Sequence, residues 1–268
     1  MPFIQCNDYQ LEYRLTGTKN SETILFVHGL GANRSQFEAQ HTYFSKKYQV
    51  VSISLCGHGN SSLPSKVTIE KFGLTKFKND ILYVLDFLKI ETVHYVGNSM
   101  GGNIGLEFLC EKPTRLLSLT IFGTTGQLKK SKILIFLMRL IYRILSMKTI
   151  GKLSSSAGLN AASKIKIQEM ISVASKEAVL HCIPNLANFN YLSNIKKSTM
   201  PTLLLKGEKD KEINAELNKT IVTFQNRGNF QLKELKGVGH FMNLDDSELF
   251  NKELEAFLLD EKVFVIEN

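Results

Sequence analysis

The stretch Val93-His94-Tyr95-Val96-Gly97-Asn98-Ser99-Met100-Gly101-Gly102 decides how this 268-residue chain is read. A short run rich in β-branched and aromatic residues leads into Gly-x-Ser-x-Gly, and helical periodicity then runs from Met100 to Cys110. Strand, Gly-x-Ser-x-Gly and helix, in that order, are what a nucleophile elbow requires. Gly97 and Gly101 leave room for a sharp turn that holds Ser99 in a strained backbone conformation with its hydroxyl exposed. The start of the following helix brings a backbone N–H and the positive end of a dipole beside the reacting carbon. The bare pattern is common by chance; its place between strand and helix makes Ser99 a candidate nucleophile.

A serine hydroxyl is a weak nucleophile until a base takes its proton and an acid holds that base. His240, in Gly237-Val238-Gly239-His240-Phe241, follows the last predicted strand and is expected to lean over the C-terminal edge of the sheet. Asp210 lies three residues past Gly207 in Thr202-Leu203-Leu204-Leu205-Lys206-Gly207-Glu208-Lys209-Asp210, and the order Ser99, Asp210, His240 suits this chemistry. An acid after the preceding strand is excluded, because Ile121-Phe122-Gly123-Thr124-Thr125-Gly126 holds no carboxylate. Glu208 and Glu212 remain alternative acids. A forming oxyanion needs two N–H donors. Met100 offers one, and Leu30, in the glycine-rich Phe26-Val27-His28-Gly29-Leu30-Gly31-Ala32, offers the other. His28 reads as a brace for that loop rather than a base, and Cys56 and His58 read as structural turn residues.

Working outward from the elbow, strand-like runs at 23–27, 49–54, 92–96 and 117–122 alternate with helical segments at 35–45, 74–88 and 100–110. Residues 3–6 and 10–15 flank Asn7-Asp8, which suits a hairpin turn. Alternation resumes after Met200 with a strand at 201–206, a helix at 214–224, a strand at 230–235 and a helix at 246–259. This order predicts a mostly parallel sheet with helices on both faces. Residues 124–198 break the pattern, show no obvious strand and read helical throughout. They are expected to form a cap inserted into a core made of residues 1–123 and 199–268.

The formal charge is +8, from 33 Lys and Arg against 25 Asp and Glu. Residues 124–200 hold 12 of the basic residues and two acidic ones, so this segment carries +10 and the remainder −2. Charge confined to one segment, without zinc-finger, RNP or phosphate-loop patterns, argues against nucleic acid as a partner. The four cysteines, Cys6, Cys56, Cys110 and Cys182, lie far apart and suit free thiols in a reducing compartment. The opening residues have neither a basic n-region nor an apolar h-region, so no signal peptide is expected, and a cytoplasmic protein is the simplest expectation.

On His28-Gly29, Cys56-Gly57-His58-Gly59-Asn60-Ser61, the elbow, Asp210 and Gly239-His240-Phe241, spread over nearly the whole chain, the sequence resembles the α/β-hydrolase superfamily. The likeness is to members with a helical cap inserted after the sixth strand. It implies an α/β-hydrolase fold, a mostly parallel eight-stranded sheet flanked by helices, with those positions serving as oxyanion loop, structural turn, elbow, acid and base. It further implies attack on a carbonyl through an acyl-enzyme, with no metal or organic cofactor; the apolar character of the inserted segment and the ester chemistry most common to such triads point to a carboxylic ester with an apolar acyl part. His28, Gly29 and Asn98 are expected to border the substrate. Two departures stand out: Ser54 occupies a position where the family often has Asp, and Lys211-Glu212-Ile213 replaces an apolar-Pro stretch after the acid. Serine at the elbow argues against the dehalogenase and epoxide hydrolase branches, which use aspartate there. Asn98 and Gly101-Gly102 also resemble C–C hydrolases of ring-fission products, and some members of the fold bind ligands with little turnover.

Residues 131–145 are almost all Ile, Leu, Phe, Met or Tyr apart from Lys132, Arg139 and Arg143, which fall within about 40° of one another on a helical wheel. One expectation is burial of the apolar faces against the sheet domain, with the basic stripe outward. The other is that Ile135, Met138 and Tyr142 line an acyl pocket, or that the helix makes weak contact with an anionic membrane surface.

Overall fold

A computed structural model describes residues 2–19, 21–68, 72–226 and 229–266, with side chains up to residue 260. The strands of the main sheet are β1 (Phe3–Cys6), β2 (Tyr9–Thr16), β3 (Thr23–Val27), β4 (Gln49–Ile53), β5 (Val93–Asn98) and β6 (Leu116–Phe122), with β9 (Thr202–Gly207) and β10 (Phe230–Leu235) beyond the insertion. Their order is β1-β2-β4-β3-β5-β6-β9-β10. Every pairing from β4 to β10 is parallel, while β2 runs antiparallel to both its neighbours. The β1–β2 hairpin turns where predicted, with Asn7 at φ 52°.

Every residue of β3 is buried, which is the signature of a strand covered on both faces. Leu25 and Val27 point into one core, with Tyr95, Ile121 and residues of α2 (Leu74–Phe87) and α3 (Met100–Glu111). Ile24 and Phe26 point into the other, with Val96 and Phe122, Phe44 of α1 (Glu38–Phe44), and Leu254 of the C-terminal helix Ser247–Ile266. The period-2 alternation of one strand thus feeds two separate cores.

Between β6 and β9 lie α4 (Lys132–Ile144), α5 (Met147–Ser154), α6 (Ala161–Ser172), α7 (Lys176–Leu186) and α8 (Leu192–Lys197). This segment is not helical throughout, contrary to the sequence expectation. β7 (Gln127–Lys129) and β8 (Asn188–Asn190) form an antiparallel ribbon with Leu128 opposite Phe189. Three-residue strands are too short to carry a readable period, and this ladder pairs residues about sixty positions apart. The predicted helix at 214–224 is split into α9 (Lys211–Glu216) and α10 (Asn218–Gln225), because the Asp210 carboxylate caps α9 several residues before the apolar period begins. The last two helices are α11 (Met242–Asp245) and α12 (Ser247–Ile266).

α4 corrects a second expectation. Ile135 and Tyr142 pack against Val179 and Ile183 of α7, whereas Ile133, Phe136 and Ile144 are 74%, 65% and 70% exposed. Arg139 is half-buried, with its Nε shielded from solvent, instead of facing outward with Lys132 and Arg143. A helix apolar around most of its circumference buries whichever sector its neighbour covers, and here α7 covers only one.

Candidate active site

The carboxyl ends of β3, β5, β9 and β10 meet along one edge of the sheet, where α/β folds place their ligand crevices. At the end of β5, Ser99 adopts φ 51° and ψ −117° before α3 begins at Met100. A non-glycine residue in such a conformation costs on the order of 1–3 kcal/mol and persists only when its surroundings enforce it. The glycines do the enforcing by letting chains approach. A Cβ on Gly97 would fall 2.4 Å from the Gly101 carbonyl oxygen, and one on Gly101 would fall 2.2 Å from that of Val27.

His240 follows β10, and its Nδ1 lies 2.8 Å from Oδ2 of Asp210. A carboxylate only accepts, so Nδ1 carries the proton and Nε2 of the neutral ring keeps its lone pair. Asp210 is 7% exposed and its other oxygen accepts from the Ile213 N–H as the cap of α9. Neither alternative acid holds the imidazole. Glu208 accepts from the Gly237 N–H at 2.9 Å and pairs with Lys209, while Glu212 sits exposed at the rim.

Ser99 and His240 line one cavity of about 320 Å³, together with Leu30 and Met100. Its other walls are mainly apolar, with Leu128 and Phe189 from the ribbon, Met138 from α4 and Ile183 from α7. Met100 opens α3, so its N–H has no carbonyl one turn earlier to bond. The Leu30 N–H likewise donates to no acceptor among the described residues. Of the residues expected to border the substrate, Met138 reaches this cavity. His28, Gly29, Asn98, Ile135 and Tyr142 do not, because the first three lie beneath the floor and the last two pack on α7.

Those buried residues support the floor. The Leu55 N–H donates to His28 Nε2 at 2.9 Å, so His28 Nδ1 carries the proton and donates to the Gly29 carbonyl at 2.7 Å. Burial, together with the neighbouring His58, holds the His28 pKa well below the usual range. Asn98 Nδ2 donates to the His240 carbonyl at 3.2 Å and accepts, through Oδ1, from Gln36 Nε2 at 3.0 Å. Gln36 also donates to Asn243 Oδ1 at 3.1 Å, and Asn243 Nδ2 returns a bond to the Gln36 carbonyl at 2.9 Å. Sequence reading missed Gln36 and Asn243. They are 207 positions apart, and nothing in an isolated amide marks it as buried.

The Ser54 departure is compensated. Ser54 Oγ donates to Glu12 Oε2 at 2.8 Å, and Glu12 Oε1 lies 3.0 Å from Arg34 Nε. The carboxylate beneath this turn therefore comes from β2. Cys56 is buried, its thiol donates to the Ser62 carbonyl, and burial pushes its pKa up to about 12, which makes it inert. His58 Nδ1 lies 3.0 Å from the Cys56 carbonyl, as a turn residue would. Among the described residues no cluster of His, Cys, Asp and Glu suits a metal ion. No helix there is long and apolar enough to cross a membrane.

Comparison with known proteins agrees with this architecture. A family model for the alpha/beta hydrolase fold matches residues 22–146. The chain is 21% identical over 262 residues to 3-oxoadipate enol-lactonase 2 of Acinetobacter baylyi, covering 95% of each chain. An enol-lactonase structure from Burkholderia xenovorans superposes with a TM-score of 0.83 at 22% identity, covering 96% of this chain and 100% of that one. An esterase from Exiguobacterium antarcticum gives 0.83 at 21% identity, covering 95% and 98%. Such identities carry the fold and leave the substrate open. With its eight-stranded sheet and strand–elbow–helix turn, the chain has the α/β-hydrolase fold, and the family model for that fold matches its first half.

Proposed function

We propose that this protein is a serine hydrolase of carboxylic esters with an apolar acyl part. The observation that carries the reading is the 2.8 Å bond that His240 Nδ1 donates to Asp210 Oδ2, with His240 on the rim of the cavity that the strained Ser99 also lines. In this reading Ser99 Oγ attacks the ester carbonyl while His240 Nε2 takes the hydroxyl proton. The Leu30 and Met100 N–H groups stabilise the negative charge on the carbonyl oxygen. His240 then returns the proton to the departing alcohol, leaving an acyl group on Ser99. Water, deprotonated by the same imidazole, releases the acid and restores the serine. Asp210 holds the imidazole in the required tautomer and stabilises its charged form.

The cavity argues for modest substrates. Small-ligand sites run from about 300 to 1,000 Å³, and this one is near the lower bound. Its apolar walls favour an apolar acyl chain, each buried methylene adding roughly 0.8 kcal/mol. An enol-lactone is itself an ester, so the relatives named enol-lactonase and esterase concern the same bond class. A series of p-nitrophenyl esters tests the proposal. kcat/KM should rise about tenfold from two to four acyl carbons and fall once the chain outgrows the cavity. Absence of turnover across the series would favour a ligand-binding member of the fold.

A further inference from the structure

We propose that α4 docks the cap onto an anionic lipid bilayer. The outward sector of this helix presents Ile133, Phe136, Leu137, Leu140, Ile141 and Ile144, each at least 40% exposed. None of them is needed to hold α4 on α7, which Ile135 and Tyr142 do from the opposite side. Thirteen residues make a cylinder about 20 Å long. A surface helix of this kind sinks roughly 5–10 Å into the boundary between headgroups and acyl chains.

Charge chooses the occupant. Lys132 and Arg143 flank the apolar crest, with Lys148 and Lys152 following on α5; all four are exposed and have no carboxylate partner among the described residues. Across residues 124–200 there are 12 basic residues and two acidic ones. A second copy docking cap to cap would oppose two such surfaces and be repelled. Anionic headgroups would neutralise the same charges while the acyl region takes the crest. Docking also brings the bilayer near the cavity, because Met138 of the same helix forms part of its wall. Docking itself does not depend on turnover; delivery of membrane-dissolved esters to Ser99 rests on the function proposed above.

Vesicle sedimentation with the full-length Ser99→Ala protein tests the docking without hydrolysing the lipid. Binding to vesicles of phosphatidylcholine with phosphatidylglycerol should exceed binding to phosphatidylcholine alone by about tenfold or more. It should weaken in about 1 M salt, where the screening length is near 3 Å. The triple variant Ile133→Ser, Phe136→Ser, Ile144→Ser should lose binding to both vesicle types. Lys132→Gln with Arg143→Gln should lose the preference for anionic vesicles while leaving turnover of a short ester, in the Ser99 protein, unchanged. Equal binding to both compositions, or undiminished binding by the triple serine variant, would overturn the proposal. So would a concentration-dependent dimer that the serine variant disperses and that has no affinity for vesicles, because a second copy would then cover the crest.

Discussion

The elbow and helix α4 are built on opposite principles. Around Ser99 every neighbour is specified: glycines admit touching backbones, Asn98 is fully buried, and one hydrogen-bonded network ties β5 to the His240 loop. α4 is held on one side only and leaves most of its apolar surface uncovered. The contrast shows that a single chain applies close packing where atoms must stay in register for chemistry, and leaves it off where a surface is free to meet something else. Substitutions in the two regions should therefore fail differently.

Ser99→Ala should reduce ester hydrolysis by about a thousandfold or more with the folded state retained, as circular dichroism would check. Asp210→Asn should follow at about a hundredfold or more in kcat, through loss of the imidazole tautomer. Glu208→Gln and Glu212→Gln should each cost much less, and a larger loss from either would mean that the imidazole is held by a different carboxylate.

The elbow half of the comparison was legible because its signals are local. Gly97, Ser99 and Gly101 stand within five residues, and the strand and helix around them each carry their own period. The limits of β3 likewise follow from a short apolar run, and β10 keeps the bounds read from the sequence although Gln231, Lys233 and Glu234 interrupt its apolar residues. Asp210 and His240 were found by their positions after strands, which the alternation supplies. What stayed hidden was what depends on distant partners. The β7–β8 ribbon, the Gln36–Asn243 bonds beneath Asn98 and the Glu12 carboxylate that serves the Ser54 turn all join residues remote in sequence. The orientation of α4 was hidden for another reason. An apolar helix states how much of itself can be buried, and its neighbours decide which sector is.

Acid should strain the close-packed region first. Burial depresses His41 to about 3 and His58 to about 4, and His28 well below its ordinary value near 6.5. The unfolded chain takes up these protons below about pH 6.5 while the folded protein does not until far lower. The stability they contribute is therefore present above that pH and lost as pH falls toward 4. Each neutral imidazole costs up to about 1.4 kcal/mol per pH unit in that window. Thermal melts at pH 7.5, 6 and 5 should show a progressive fall, and His41→Gln should flatten it. A melting temperature independent of pH would contradict the buried neutral imidazoles.

Asn98→Ala sharpens the comparison further. It strips the His240 carbonyl and Gln36 of buried partners, so it should lower stability by about 1–3 kcal/mol. Turnover should fall in parallel while KM moves little, since Asn98 holds the His240 backbone from below the cavity floor. The smallest effect belongs to α4: Phe136→Ser should change stability by no more than about 0.5 kcal/mol. A large destabilisation there would mean that the crest of α4 is packed in solution.

The central claim is that Ser99 is the activated nucleophile, and covalent labelling reads it most directly. After exposure to a fluorophosphonate, intact mass spectrometry should show one adduct on the wild-type protein, and peptide mapping should place it on Ser99. Asp210→Asn should label far more slowly and Ser99→Ala not at all. An adduct on another residue, or none under conditions that label a known serine hydrolase, would contradict the account.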